Sequence, residues 1–391
     1  MKLFFRNIHL YLSLAAGLVI MTACLTGAIL VFEKELDETL HPNRFKVNVK
    51  GTQVNLLELI AKANEALPEA KLASVKVYSA ANRSVEIGLI ASKKDEKRKE
   101  EEHKETQIKE KAAPATLLRP THTVFVDPYM AEVIEVYSSK GTFFQKTMEL
   151  HRWLLGKNDG VGKYIVGVST FIFLFILFTG IVLWWPKTNK IFVQRIKVKW
   201  DGNWKRLNHD LHLVFGFYSA IFLFIFAFTA MSWSFQWFNK GIYKVTRSSA
   251  DVPEPPISIF NGTTPISIEA GLEKIKSTVK DAVYYIVRMP KDSTGVYTVI
   301  LLPKGAPEMQ IDTYYIDQYN GKIAGSLKFS EKNAGQKVRS YVKPLHTSAI
   351  FGLPSKIVGF IVCILGVTFP ITGVIMWLNR LKAERKLAKR K

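Results

Sequence analysis

The chain has 391 residues, is 48% hydrophobic and carries a formal net charge of +21. That pairing excludes a disordered tail, which lacks so much apolar content, and an ordinary soluble enzyme, which does not combine so many cations with so much apolar surface. The apolar residues gather in four uncharged runs, so the excess of Lys and Arg is read against anionic lipid headgroups and needs no nucleic acid.

The first run, Leu10 to Phe32, follows the basic start MKLFFRN. Its apolar core is too long for a secretory signal and no A-x-A-like site precedes Glu33, so residues 1–32 read as a retained transmembrane helix. Residues 33–150 form a first α+β segment: VNLLELIAKANEALP has helical spacing, SVKVYSAANRSVEIGLI alternates like strands, and VFVDPYMAEVIEVY reads as strand, turn and strand. Within it, residues 93–111 (KKDEKRKEEEHKETQIKEK) are a solvated charged insertion with Glu–Lys pairs at i,i+4, and His103 there is incidental.

A second run, Tyr164 to Trp185, places a transmembrane helix in 151–186, and the basic loop 187–208 follows. The third run, Leu213 to Asn239, gives a helix in 209–239. A second α+β segment covers 240–345, with SIEAGLEKIKSTV as its helix and YYIDQYNGKIAG as its closing strand and turn. The fourth run, Ile357 to Asn379, places the last helix in 346–379 before the basic tail 380–391. Each run reaches the ~20 residues needed to cross a bilayer. Lys and Arg collect at the start, in the 187–208 loop and in the tail, all on one side of a four-helix chain, so both termini are expected in the cytoplasm and both α+β segments outside it.

The halves repeat. IHLYLSLAAG at Ile8 matches LHLVFGFYSA at Leu211, ELHRWLLG at Glu149 matches PLHTSAIFG at Pro344, and TGIVLWW at Thr179 matches TGVIMWL at Thr372. The fold class is therefore a mixed membrane protein: a four-helix transmembrane bundle with two α+β extracytoplasmic domains, internally duplicated. Cys24 and Cys363 fall inside predicted membrane helices, form no C-x-x-C pair and carry no assigned chemistry.

The repeat pairs four of the eight histidines. His9 and His212 open helices at the cytoplasmic face; His151 and His346 precede helices at the outer face. On a helix, positions i+4, i+7 and i+8 continue the face of residue i. After His9 these are Ser13, Ala16 and Gly17, and after His212 they are Gly216, Ser219 and Ala220. Close helix packing in a membrane accounts for small residues but not for an imidazole heading each stripe. A flat macrocycle held between two helices needs both, so a bis-His b-type haem is expected between helices one and three. For the outer pair, Gly156, Gly160 and Gly162 follow His151 and Gly352 follows His346. A second haem, between helices two and four, rests mainly on the repeat and on matching depth. His209, three residues before His212, is open as an alternative ligand, a propionate partner or a second hydrogen-bond donor. His41 and His122 read as surface residues. No Walker motif, zinc-type Cys/His spacing, H-E-x-x-H or G-x-S-x-G occurs.

These residues resemble the PepSY-associated transmembrane helix family, or iron-regulated membrane proteins, whose members include di-haem ferric-siderophore reductases. The carriers are IHLYLSLAAGLVIMTACLTGAILVFEKELD, VFVDPYMAEV, LHRWLLG, NHDLHLVFGFY, YYIDQYNGKI and TGVIMWLNR, spread over nearly the whole chain. The resemblance implies outer PepSY domains around a four-helix core with two haems, linked to His9, His212, His151 and His346, with His209 as a further candidate. The sequence departs from the family at Met130-Ala131 and Gln318 in the two outer turns and in the charged insertion.

The function these readings imply is electron transfer across a bacterial inner membrane, from a cytoplasmic or quinol donor through two b haems to a ferric siderophore or other Fe(III) chelate. Two rivals are a haem-free anchor whose PepSY domains bind or inhibit extracytoplasmic peptidases, and a small-solute transporter. Four helices with no charged midplane residue argue against the transporter.

Overall fold

A computed structural model describes residues 1–91, 120–260 and 262–389. The charged insertion 93–111, with His103, lies outside the described residues. The chain divides into two compact units: Met1–Glu33, Gly141–Ser249 and Ala334–Lys391 form a helical unit, and Lys34–Lys140 with Ala250–Asn333 form a sheet unit.

In the helical unit, four helices among the described residues are long and apolar enough to cross a membrane: Lys2–Leu30, Val161–Trp184, Trp204–Ser234 and Leu353–Ala388. The second and fourth are each introduced by a shorter helix, Phe143–Trp153 and Ala334–His346. The third helix starts in the basic loop and stops at Phe235, whose extended backbone breaks it before Asn239. It contains a π-helical turn over Leu211–Phe215. The fourth helix runs past Asn379 without a break. Lys, Arg, Glu and Leu are good helix formers, so charge ends the apolar run there but not the helix. A core of Ala16, Ile20, Cys24, Ile176, Leu223 and Val362 draws on all four helices.

The sheet unit is one antiparallel sheet of eight strands among the described residues: β1 (Lys71–Tyr78), β2 (Val85–Ile90), β3 (His122–Val126), β4 (Val133–Tyr137), β5 (Ala282–Arg288), β6 (Val296–Pro303), β7 (Asp312–Asp317) and β8 (Ile323–Leu327). Their order is β4-β3-β2-β1-β5-β6-β7-β8. The two α+β segments, expected as separate domains, thus meet edge to edge: β1 pairs with β5 through Ser74–Arg288, Lys76–Ile286 and Tyr78–Tyr284. Each segment also supplies one helix, Leu56–Ala66 capped by Asn55 and Ile268–Thr278 capped by Ser267. Alternate residues of the strands, among them Val75, Ile87, Val287 and Val299, join Leu59 and Ile275 in one continuous core.

Both closing turns are built alike. Asp127 Oδ1 accepts from the Tyr129 and Met130 amides at 2.7 and 3.3 Å, and Asp317 Oδ1 accepts from Tyr319 and Asn320 at 2.8 and 3.0 Å. Ala131 adopts φ 51° where Gly321 adopts φ 67°. Gln318 is buried, and its Nε2 donates to the Asp292 and Gly295 carbonyls at 3.0 and 2.8 Å, which fastens a neighbouring loop.

Candidate functional site

All four repeated histidines are held in the same way. His9 Nδ1 lies 3.0 Å from Thr179 Oγ1, His212 Nδ1 2.7 Å from Thr372 Oγ1, His151 Nδ1 2.9 Å from Thr26 Oγ1 and His346 Nδ1 3.2 Å from Thr229 Oγ1. A backbone carbonyl three residues before the threonine shares the same nitrogen. For His9 it is Ile176 O at 3.1 Å and for His346 Phe226 O at 3.0 Å; Ala23 and Phe369 take that place for His151 and His212.

The partners assign the tautomer. Each threonine hydroxyl donates back into its own helix, to Thr22 O at 2.7 Å, Phe175 O at 2.9 Å, Ile225 O at 2.6 Å and Thr368 O at 2.9 Å. Its oxygen is therefore left to accept, and a carbonyl can only accept, so the imidazole Nδ1 carries the proton and donates it. Nε2 then keeps its lone pair. This is how metal-ligating histidines are prepared: one ring nitrogen donates to a fixed acceptor while the other faces the metal.

The residue after each threonine makes the approach possible. A Cβ at Gly180 would lie 3.3 Å from His9 Cε1, and at Gly27 and Gly373 it would lie 3.5 Å from Cε1 of His151 and His212. Threonine fixes the ring and glycine lets the helix come up to its edge. At the fourth position the pair is Thr229-Ala230. This Thr-Gly signal recurs in LTGA, FTGI and ITGV and is readable in the sequence, where it also aligns the second and fourth helices.

The structure brings the two outer rings together. His151 and His346 have ring centroids 6.1 Å apart. One metal ion about 2 Å from a nitrogen of each ring spaces the centroids by roughly that much. His9 and His212, the other repeat-related pair, are held by the matching threonines Thr179 and Thr372. His151 and His346 are outside the four long helices. Burial, and then the charge of His346, pushes His151 down to about 4, and burial lowers His346 as well. Both are neutral at neutral pH, as ligands must be.

Several expectations change in detail. The outer pair does not sit between helices two and four: its histidines end the two short helices, and the threonines that hold them belong to helices one and three. Gly17 gives no free face, because a Cβ there would meet Pro370 Cβ at 3.4 Å; helix packing accounts for it. Gly162 is required by the Trp153 carbonyl, which occupies the position of a Cβ. Gly216 has room, with only Phe369 at 4.0 Å, as does Gly352, and Ser13 is part-buried. His209 is half exposed and bonded to Asp210 Oδ1 at 3.2 Å. Asn208 is the neighbour that matters, since it is buried and its Nδ2 donates to Thr372 O at 3.1 Å, tying His212 and its acceptor together. The π-helical turn carries His212, and such turns recur at functional sites because they re-aim one side chain. His41 bonds Asp37 and His122 bonds Thr121, both in the sheet unit.

A family model described as PepSY-associated TM region matches residues 6–380, a span that contains all four threonine-held histidines. No curated protein matches the chain.

Proposed function

The chain belongs to the family of PepSY-associated TM regions, and from that premise we propose that it carries electrons across a bacterial inner membrane to reduce a ferric siderophore or other Fe(III) chelate. The observation that carries the reading is the four-fold histidine arrangement: Nδ1 donates to threonine and carbonyl, and Nε2 is kept as a lone-pair donor. His9 with His212 and His151 with His346 would hold two b-type haems. Haem bound at each pair supplies a one-electron carrier.

The chain's own residues account for the rest. Thr179, Thr372, Thr26 and Thr229 hold the ring protons away from the metal side, and Asn208 fixes Thr372. Ile20, Leu223 and Val362 belong to a buried apolar core in the interior of the bundle. The basic clusters favour cytoplasmic termini, which would put His9 and His212 on the side of a cytoplasmic or quinol donor and His151 and His346 on the side of the chelate. Reduction suits iron release, because hard oxygen donors hold Fe(II) less tightly than Fe(III).

The visible spectrum of the purified protein, oxidised and reduced, tests this directly. A Soret band and reduced bands of bis-histidine haem are expected. A colourless protein purified from haem-replete cells overturns the reading in favour of a haem-free anchor that binds peptidases.

A further inference from the structure

Beside the His151–His346 pair, the helical unit carries buried polar atoms that no protein group satisfies. Arg339 Nη1, Ser232 Oγ and Asn239 Oδ1 are buried without a hydrogen-bond partner. All three fall where the short helix Ala334–His346 packs on the end of the third helix and on Gln236–Val245. Two contacts fix that packing. At one end a Cβ on Gly335 would touch Tyr243 and lie 3.0 Å from Thr246 Oγ1. At the other, His346 meets Thr229, Phe226 and, at 5.1 Å between ring centroids, Trp233. Arg339 lies between these points. It precedes His346 by seven residues, two turns, and so shares its face of the helix. Asn239 Nδ2 donates to Ser232 O at 2.6 Å, which keeps those two residues on the same stretch.

A second cation lies beside the same histidine pair. Arg152 follows His151, and its charge is felt by both His151 and His346. Its guanidinium lies 4.9 Å from the Trp153 ring centroid, and no carboxylate pairs with Arg152 or Arg339 among the described residues. Two unpaired guanidiniums, one with a buried bare N–H, beside a pair of neutral imidazoles call for an anionic oxygen ligand; the guanidinium fork matches a carboxylate.

We propose that Arg152 and Arg339 form a carboxylate-binding rim on the His151–His346 site, with the Ser232 hydroxyl as a third donor and Asn239 Oδ1 accepting from a hydroxyl or water of the same ligand. The inference rests on the electron-transfer reading above and names the chemistry of the group bound there. Carboxylates could come from the propionates of a haem held by the two histidines or from the acidic arms of the Fe(III) chelate.

The test uses full-length Arg152→Gln, Arg339→Gln and Arg339→Lys proteins in detergent and in proteoliposomes, with monodispersity and far-UV circular dichroism as folding controls. If propionates are the ligand, both Gln variants lose outer-site haem about 10–100-fold more readily in an apo-acceptor assay or shift that haem's midpoint potential downward, with Lys closer to wild type. Relative KM values for anionic ferric citrate and a neutral ferric trihydroxamate then stay unchanged. If the chelate is the ligand, haem retention and potential hold, while KM for ferric citrate alone rises roughly tenfold or more. Well-folded Gln variants that match wild type in retention, potential and both KM values overturn the rim. Absence of a Soret band in the wild type sinks the haem reading instead; ferric citrate binding by wild type and Gln variants then decides the rim alone, with equal binding counting against it.

Discussion

His212 donates from Nδ1 to Thr372 Oγ1 at 2.7 Å, joining the third and fourth helices across 160 positions of chain. Thr372→Val keeps the shape and removes one of the two acceptors of the His212 proton, leaving the Phe369 carbonyl, so the ring's tautomer and aim are held less firmly. Haem affinity at the inner site is expected to fall about 10–100-fold, and Thr372→Ser to retain most of it. Titration of haem into the apoprotein measures this. A Val variant that binds haem like wild type would show that the hydroxyl does not set the ligand.

If each histidine pair holds a haem, the two pairs are separable. His9→Ala or His212→Ala is expected to remove about half the haem per chain, and His151→Ala to leave the inner site filled. A wild-type content near one haem per chain argues against the outer site. Gly216→Leu, filling the space beside Phe369, is expected to expel the inner haem while sparing the outer one.

If the chain carries electrons as proposed, across a bilayer whose apolar core is about 30 Å thick both pairs must be intact for transfer, and only the outer one would face the acceptor. In proteoliposomes with internal reductant and external ferric siderophore, His346→Ala should stop chelate reduction and leave the inner haem reducible. Reduction at the wild-type rate by that variant would rule the outer pair out of the route.

The side proposed for each pair rests on the basic clusters. Reporter fusions in the 187–208 loop and at the C-terminus are expected to report cytoplasm. An external loop would reverse the direction of transfer drawn here.

In the sheet unit, buried Arg44 grips Glu135 through Nε and Nη2 at 2.9 and 2.7 Å and Asp37 through Nη1 at 2.8 Å. Arg44→Leu is expected to cost about 2–3 kcal/mol, at the lower end of a buried charge network because both carboxylates keep some contact with water. Hydrogen exchange in β3 and β4 reads it out. Unchanged protection in a well-folded variant would mean the network contributes little.

The membrane helices were legible because lipid leaves backbone polar groups only a few solutions and these leave a mark in composition. The histidine pairs were legible through the repeat. What held the histidines was less so. Thr26 meets His151 and Thr179 meets His9 across 125 and 170 positions, and nothing local announces such a contact. The β1–β5 pairing escaped for a related reason: each strand alternates as an edge or a central strand would, and only its partner tells which it is. The fourth helix outran its apolar stretch because hydropathy reports the solvent and not the hydrogen-bond ladder.

That β1–β5 seam also sets an order of events. β1 and β5 are neighbours in the finished sheet, yet roughly 200 residues and two membrane crossings separate them along the chain. At about 5–20 residues per second, the ribosome needs on the order of 10–40 s to deliver the second after the first. For that interval the Lys71–Tyr78 edge stands uncovered, a row of free amides and carbonyls open to any passing strand. Lys71 and Lys76 along it act as temporary guards against mispairing. A chain stalled before its third helix inserts is therefore left with an adhesive half-sheet, so the yield of this protein depends on how quickly its second half enters the membrane.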